Sequence, residues 1–185
     1  MCYNGEPISA VYGASTAGRT NDSRDVWGGY LPYLTSVESD YDYLDPNWGV
    51  QKVISVSEVQ RLVKENTGIE LSGDPSTWFQ ILNYNRGGYN GDMSIGGHTT
   101  YVSPSSGKTI KLTGNIVREN VLDWKIRSAK FDIGLNGDNF VFTTYGYGHG
   151  VGMSQWGAHY YATVGGYNYQ QILTHYYPGT QIITK

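Results

Sequence analysis

Gly146, Gly148, Gly150, Gly152 and Gly157 all fall within the stretch YGYGHGVGMSQWGA, Tyr145 to Ala158, around a single histidine, His149. Glycine loses more conformational entropy on folding than any other residue, so such a run is kept for positive φ or for close approach to the backbone. The text before it, KFDIGLNGDNFVFTTYG, places two alternating segments around Asn136-Gly137, a pair suited to a tight hairpin turn. After it, Met153, Trp156, Tyr160 and Val164 recur at helical spacing until Gly165-Gly166. The glycines are therefore predicted to form a strand-to-helix turn, with backbone N–H groups free to meet an acceptor oxygen or carboxylate.

The rest of the chain alternates short segments. Residues 4–20 open with an Asn4-Gly5 turn and read as a loose strand, and STAGRTNDSRDVWGG reads as an irregular loop. Pro32 marks YLPYLTSV as an edge strand, and ESDYDYLDPNWG as an exposed acidic turn region. Ser55 and Glu58 have capping-box spacing ahead of Val59, Leu62 and Val63, which predicts a helix to Asn66 closed by Gly68. Asp74-Pro75 reads as a second helix start, with Trp78, Ile81 and Leu82 facing inward. Residues 83–112 suggest a β-meander, Thr113 caps a short helix, and YQQILTHYYPGTQIIT gives a last helix, a turn and a terminal strand. Without a regular βαβ beat, the expected class is α+β: a mixed, mainly antiparallel sheet or partial barrel with several short helices packed on it.

At 185 residues, the chain can bury roughly 70% of its unfolded surface without a staple, as one domain over 1–185 or two small ones sharing a core. A net charge of −3 argues against nucleic acid as the main ligand. No apolar run reaches the roughly 20 residues of a membrane span, and the first residues do not read as a signal peptide. Cys2 is the one cysteine, so no internal disulfide or cysteine zinc cage is expected. Seventeen tyrosines and five tryptophans fit either cross-strand pairs or a wet, half-apolar surface such as a sugar or peptide groove.

Known loop chemistries fail at the glycine stretch. A G-x-G-x-x-G reading needs glycine where Val151 or Met153 stands, and a G-x-S-x-G elbow needs one where Trp156 stands. His98, His149, His159 and His175 form no H-E-x-x-H motif, so neither a metal nor a cofactor is expected.

YGHGVGMSQWGA closely resembles the signature of the SpoIID/LytB family, stage II sporulation protein D and its amidase-enhancer relatives. NGEPISAVYGASTAGRTNDSRDVWGGYLPYLTSV, LTGNIVRENVLDWKIRSAKFDI and ILTHYYPGTQI resemble further family segments in the family's order. The resemblance implies a peptidoglycan lytic transglycosylase of the cell envelope, membrane-anchored at full length. It places the family's essential Glu on a helix upstream of Met1, so that this chain matches the C-terminal two-thirds of the domain and is expected to be inactive alone. The amidase-enhancer branch implies the alternative, a non-catalytic module for a cell-wall amidase or a sporulation membrane protein.

Lytic cleavage needs a carboxylic acid of raised pKa to protonate the leaving oxygen. Asp40, Asp42, Asp45, Asp74 and Asp92 sit among turn residues and are expected to be solvated. Asp25 is expected to cap its loop or pair with Arg24, and with Glu119 it is the fallback if an acid is needed. For substrate, Ser15, Thr16 and Thr20 around Gly18 read either as a self-satisfied turn or as a cleft wall facing sugar hydroxyls. Gly148, His149 and Gly150 are expected on the same concave surface, with Gln155 as a ligand contact, Trp156 as core, and Tyr176 and Tyr177 as packing residues.

Overall fold

The computed structural model describes residues 1–183. Its strands are β1 (Cys2–Tyr3), β2 (Glu6–Pro7), β3 (Tyr12–Gly13), β4 (Trp48–Ser55), β5 (Phe79–Ile81) and β6 (Met93–Ile95). They continue with β7 (Thr100–Val102), β8 (Thr109–Lys111), β9 (Phe131–Asn136), β10 (Asn139–Tyr145) and β11 (Met153–Ser154). The helices are α1 (Ser23–Trp27), α2 (Val56–Thr67), α3 (Gly114–Ile116), α4 (Gln155–Thr163) and α5 (Tyr169–Tyr176). Apart from the parallel β3–β11 pair, the registered pairings are antiparallel, and among the described residues the strands form separate small sheets with no closed barrel. The fold is α+β.

Two compact units divide the chain: Met1–Trp48 with Arg86–Gly88 and Tyr145–Lys185, and Gly49–Asn85 with Tyr89–Thr144. Each has its own apolar core.

In the second unit, β4, β10 and β9 form a sheet whose buried Phe140 and Phe142 meet Phe79 edge to face at 5.5 and 6.0 Å. The alternation of NFVFTTY dictates this, because every second residue of β10 is buried. The hairpin turn falls at Gly137 and Asp138, where Gly137 takes φ +56°. α2 starts where its cap predicts: Ser55 Oγ accepts from Glu58 N–H at 3.2 Å, and Gly68 closes the helix at φ +75°. Glu58 pairs with Arg61 rather than reaching back to the cap. Ser55→Ala is expected to lower stability by about 1 kcal/mol, read as a shifted denaturation midpoint.

Other expectations need correction. Asp74-Pro75 starts only a 3-10 turn, Pro75–Thr77, because Phe79–Ile81 continues as a strand paired with Met93–Ile95. There Phe79 gains a buried aromatic neighbourhood that a solvent-facing helix would not supply. Thr113 caps α3 as expected, but the chain then widens into a π turn over Val117–Val121.

In the first unit, the Asn4-Gly5 turn joins β1 to β2. The segment YLPYLTSV forms no strand; it folds as turns that bury Leu34 completely, with an isolated bridge between Arg19 and Glu38 just beyond. The loop STAGRTNDSRDVWGG contains α1, because Asp22 caps it by accepting from Arg24 N–H at 2.9 Å. The terminal strand reduces to a bridge between Gln181 and Cys2, and Thr184 lies outside the described residues. Leu34, Val151, Tyr161, Ile172, Tyr176 and Tyr177 make this unit's core.

Candidate functional site: the glycine turn and a buried carboxyl

Within the first unit, the glycine stretch lies directly against residues 11–21. Ser15 and Tyr147 exchange backbone hydrogen bonds at 3.2 and 3.1 Å, and Asn21 N–H donates to Gly150 O at 2.7 Å. Met153 N–H reaches Val11 O at 3.1 Å, and Trp156 N–H reaches Ala14 O at 3.0 Å. The two loops expected to share a surface are therefore brought together. The glycines serve the chain's own backbone. At Gly146, φ +76°, a Cβ would stand 2.3 Å from Thr16 O; at Gly152, φ +77°, it would stand 1.9 Å from Val11 O. No side chain fits at either position.

That closeness changes the roles open to the candidate ligand residues. Ser15, Thr16 and Thr20 are buried, so their hydroxyls do not line an open wall. Thr20 Oγ1 donates to Thr35 O and accepts from Val37 N–H. Ser15 Oγ is enclosed without a hydrogen-bond partner. Gly150 is buried, Gly18 and Gly148 are half-buried, and Gln155 is exposed. His149 is half-buried: its Nδ1 accepts from Val151 N–H at 3.0 Å and so carries no hydrogen, while its ring meets Trp27 edge-on at 5.2 Å.

The centre of the arrangement is Asp42, a residue expected to be solvated. It is fully buried. Its Oδ2 accepts from the Thr16 hydroxyl and from Gly18 N–H, and its Oδ1 accepts from Ser154 Oγ at 2.8 Å. Ser154 Oγ in turn accepts from Thr16 N–H and from Gly157 N–H, capping α4. Ser39 also bonds Asp42, and its hydroxyl lies 2.6 Å from Tyr176 OH. Gly157 is required here by packing: a Cβ would fall 2.2 Å from Tyr176 OH and 2.8 Å from Asp42 Oδ1. Burial raises the Asp42 pKa against the opposing pull of these hydrogen bonds. Asp42 thus has the pKa direction of a general acid without its position, since no substrate reaches an enclosed carboxyl. Asp45 is buried as well, accepting from Asn47 N–H at 3.0 Å.

Two further expectations shift. The partner of Arg24 is Asp22, which takes the guanidinium through both oxygens at 2.9 and 2.8 Å and whose carboxyl is held below the usual range by it. Asp25 instead accepts from Arg86 at 2.8 Å. Trp156 is not in the core; half-buried, it stacks on Tyr160 at 5.8 Å, whose hydroxyl bonds Leu44 O. Tyr176 and Tyr177 are buried packing residues, as expected. Exposed rings around the glycine turn include Tyr12 on β3, Tyr147 in the turn itself and Trp27 of α1, while the Arg24 guanidinium lies 4.3 Å over Tyr30 at the exit of α1.

No family model matches the sequence. The chain is 34% identical over 182 residues to "Stage II sporulation protein D" of Bacillus subtilis (strain 168), covering 98% of this chain and 47% of that protein. A protein of the same name from Bacillus amyloliquefaciens gives the same identity and coverage. Over nearly its whole length the chain is thus similar to proteins that carry the SpoIID/LytB names. The "Amidase enhancer" of Bacillus subtilis is 25% identical over 222 residues, 97% of this chain and 30% of that protein. The chain spans about half the length, or less, of the curated relatives it matches.

Within the SpoIID/LytB segments the structure assigns concrete work to individual letters. Thr16 and Gly18 of STAGRT, Ser154 and Gly157 of GMSQWGA, and Tyr176 of HYYPGT all meet around Asp42, through its hydrogen bonds or within packing distance of it. The sequence signal available for Asp42 was its company: serine, aspartate and tyrosine in SDYD, immediately after a family segment. Its charge pointed the other way.

Proposed function

We propose that this chain binds the glycan strands of bacterial peptidoglycan at the cell envelope, through the surface around Trp27, Tyr147 and His149 of the first unit. The observation that carries the reading is the half-exposed Trp27, 50% accessible, seated edge-on against His149 beside the glycine turn. Indole and phenol rings that are apolar on one side and wet on the other suit the C–H face of a pyranose. Tyr12 and Tyr147 extend this aromatic surface along the same backbone junction. Of the expected contact residues, His149, Gly148 and Gln155 retain exposure and stay in the assignment; Ser15, Thr16, Gly18, Thr20 and Gly150 support it from beneath.

The similarity to stage II sporulation protein D supports a cell-wall role, and lytic cleavage of glycan strands is the activity we assign to the whole protein. The residues described here contribute binding: Asp42, the buried acid whose pKa is raised, is sealed from substrate. The amidase-enhancer relative favours a second reading, in which the chain stimulates a cell-wall amidase.

Titration with a purified, soluble peptidoglycan tetrasaccharide, followed by calorimetry, tests the first reading. Trp27→Ala is expected to weaken binding about tenfold, roughly 1.4 kcal/mol. Unchanged affinity in that variant would reject the surface. Binding of an amidase with no measurable glycan binding would favour the second reading.

A further inference from the structure

We propose that Asp42 and the hydroxyls enclosing it form a proton-holding junction, which makes the first unit less stable as pH rises. Thr16, Ser39 and Ser154 offer hydroxyls, Gly18 offers a backbone N–H, and Tyr176 OH lies one step further through Ser39. A hydroxyl both donates and accepts, and its hydrogen rotates freely. The same heavy-atom positions therefore serve an ionised carboxylate, with the hydroxyls pointing in, and a neutral acid, with one hydroxyl reversed to accept. A guanidinium or ammonium partner, which can only donate, could not do this. The junction is built to hold the group in either state.

The neighbouring charges then decide which state is favoured. On the 3-10 turn and the residues flanking it, the titratable groups are Glu38, Asp40, Tyr41, Tyr43 and the buried Asp45. On the segment that supplies Thr16 and Gly18 stands Arg19, paired with Glu38 at 3.0 Å; on α4, Tyr161; on α5, Tyr176 and His175. Tyr161 OH turns toward Asp40 Oδ2, and His175 Nε2 lies 2.7 Å from Glu38 O, away from Asp42. Among the described residues, no lysine or arginine is bonded to Asp42. A fully buried carboxylate without a cation is disfavoured relative to its neutral form. Burial accordingly raises the Asp42 pKa, and the tyrosines beside it move up for the same reason, Tyr161 to about 12.

The sign follows from linkage. A carboxyl whose folded pKa lies above its unfolded value binds more protons in the native state. Its contribution is fully present below the unfolded value, about 3.9, and is lost as pH rises through the folded value. Ionisation loads three joints at once: Thr16 and Gly18 on one side, and Ser154 at the start of α4 on the other. This inference stands on the junction alone and does not depend on the glycan reading.

The test measures the folding equilibrium of the protein by urea titration between pH 4 and pH 8, alongside Asp42→Asn. Between about pH 4 and the native midpoint, the folding constant of the unaltered protein should fall by up to tenfold per pH unit relative to the variant. His175 and Glu38 are present in both proteins, so their contributions cancel. Parallel pH profiles would overturn the proposal. Because Asp42→Asn could fail to fold, carbon-13 aspartate NMR of the unaltered protein supplies an independent arm. An Asp42 carboxyl resonance that titrates above the unfolded value, about 3.9, is expected, and one that titrates at or below it would overturn the proposal.

Discussion

Gly152→Ala is expected to unfold the first unit at room temperature or bring it to the edge of unfolding, a loss above about 4 kcal/mol. The added Cβ would lie 1.9 Å from Val11 O and 2.8 Å from its carbonyl carbon. Backbone cannot swing aside as a side-chain tip can. Val11 O is held from two directions, accepting from Met153 N–H at 3.1 Å and from Tyr177 OH at 2.7 Å. Moving it would break the approach of β11 to β3 and disturb a buried tyrosine together. The φ of +77° adds about 1–2 kcal/mol for any L-residue with a side chain. Gly137→Ala in the β9–β10 turn separates the two causes, since φ is +56° there but nothing lies within 4 Å of the new methyl. That variant should lose only about 1 kcal/mol by chemical denaturation. Equal losses in the two proteins would show that backbone conformation, and not the close approach, is what the glycine stretch protects.

The local devices were readable because they are short-range. Ser55 and Gly68 bound α2, Asn136-Gly137 sits at the hairpin, and the helix after the glycine turn begins at Gln155, each dictated by residues within a few positions. Bringing the 15–20 segment beside His149 was also legible, from two glycine-bearing polar loops expected to converge on one surface. What was not legible is everything decided by residues far apart in sequence. Asp42 looks like a solvated turn residue until Thr16, Ser154 and Tyr176 arrive, the last two more than a hundred positions away. Phe79 is in a strand rather than a helix because Met93–Ile95 pairs with that segment and Phe140 packs on it. Trp156 has the period of a core residue, yet its helix face is only half covered. The glycines, too, suggested room for a ligand, whereas the backbone filling that room is residues 11–16. A run of glycine specifies close approach; it does not say what approaches.

Asp42→Ala is expected to cost the first unit about 3 kcal/mol in mildly acidic solution and less at alkaline pH. Opposing effects set that figure. Removing the carboxyl leaves Gly18 N–H, 3.2 Å from Oδ2, without its acceptor, and a buried unsatisfied donor costs about 1–3 kcal/mol. The Thr16 and Ser154 hydroxyls lose their acceptor as well, although each can rotate toward another oxygen of the cluster. The space vacated by the carboxyl adds a cavity that packed neighbours fill only in part. Against these stands the relief of a buried group that, once ionised, has no cation beside it. That relief grows as pH rises through the folded value, so the difference between the two proteins should narrow with rising pH. Thr16→Ser keeps the donor and should stay within about 1 kcal/mol of the unaltered protein. Amide hydrogen exchange at Gly18 and Gly157 reports the site directly, because both N–H groups end on this junction. Faster exchange at these amides in Asp42→Ala, with α2 of the second unit unchanged, is the expected pattern; uniform acceleration across both units would mean that the carboxyl supports the chain as a whole rather than the glycine turn.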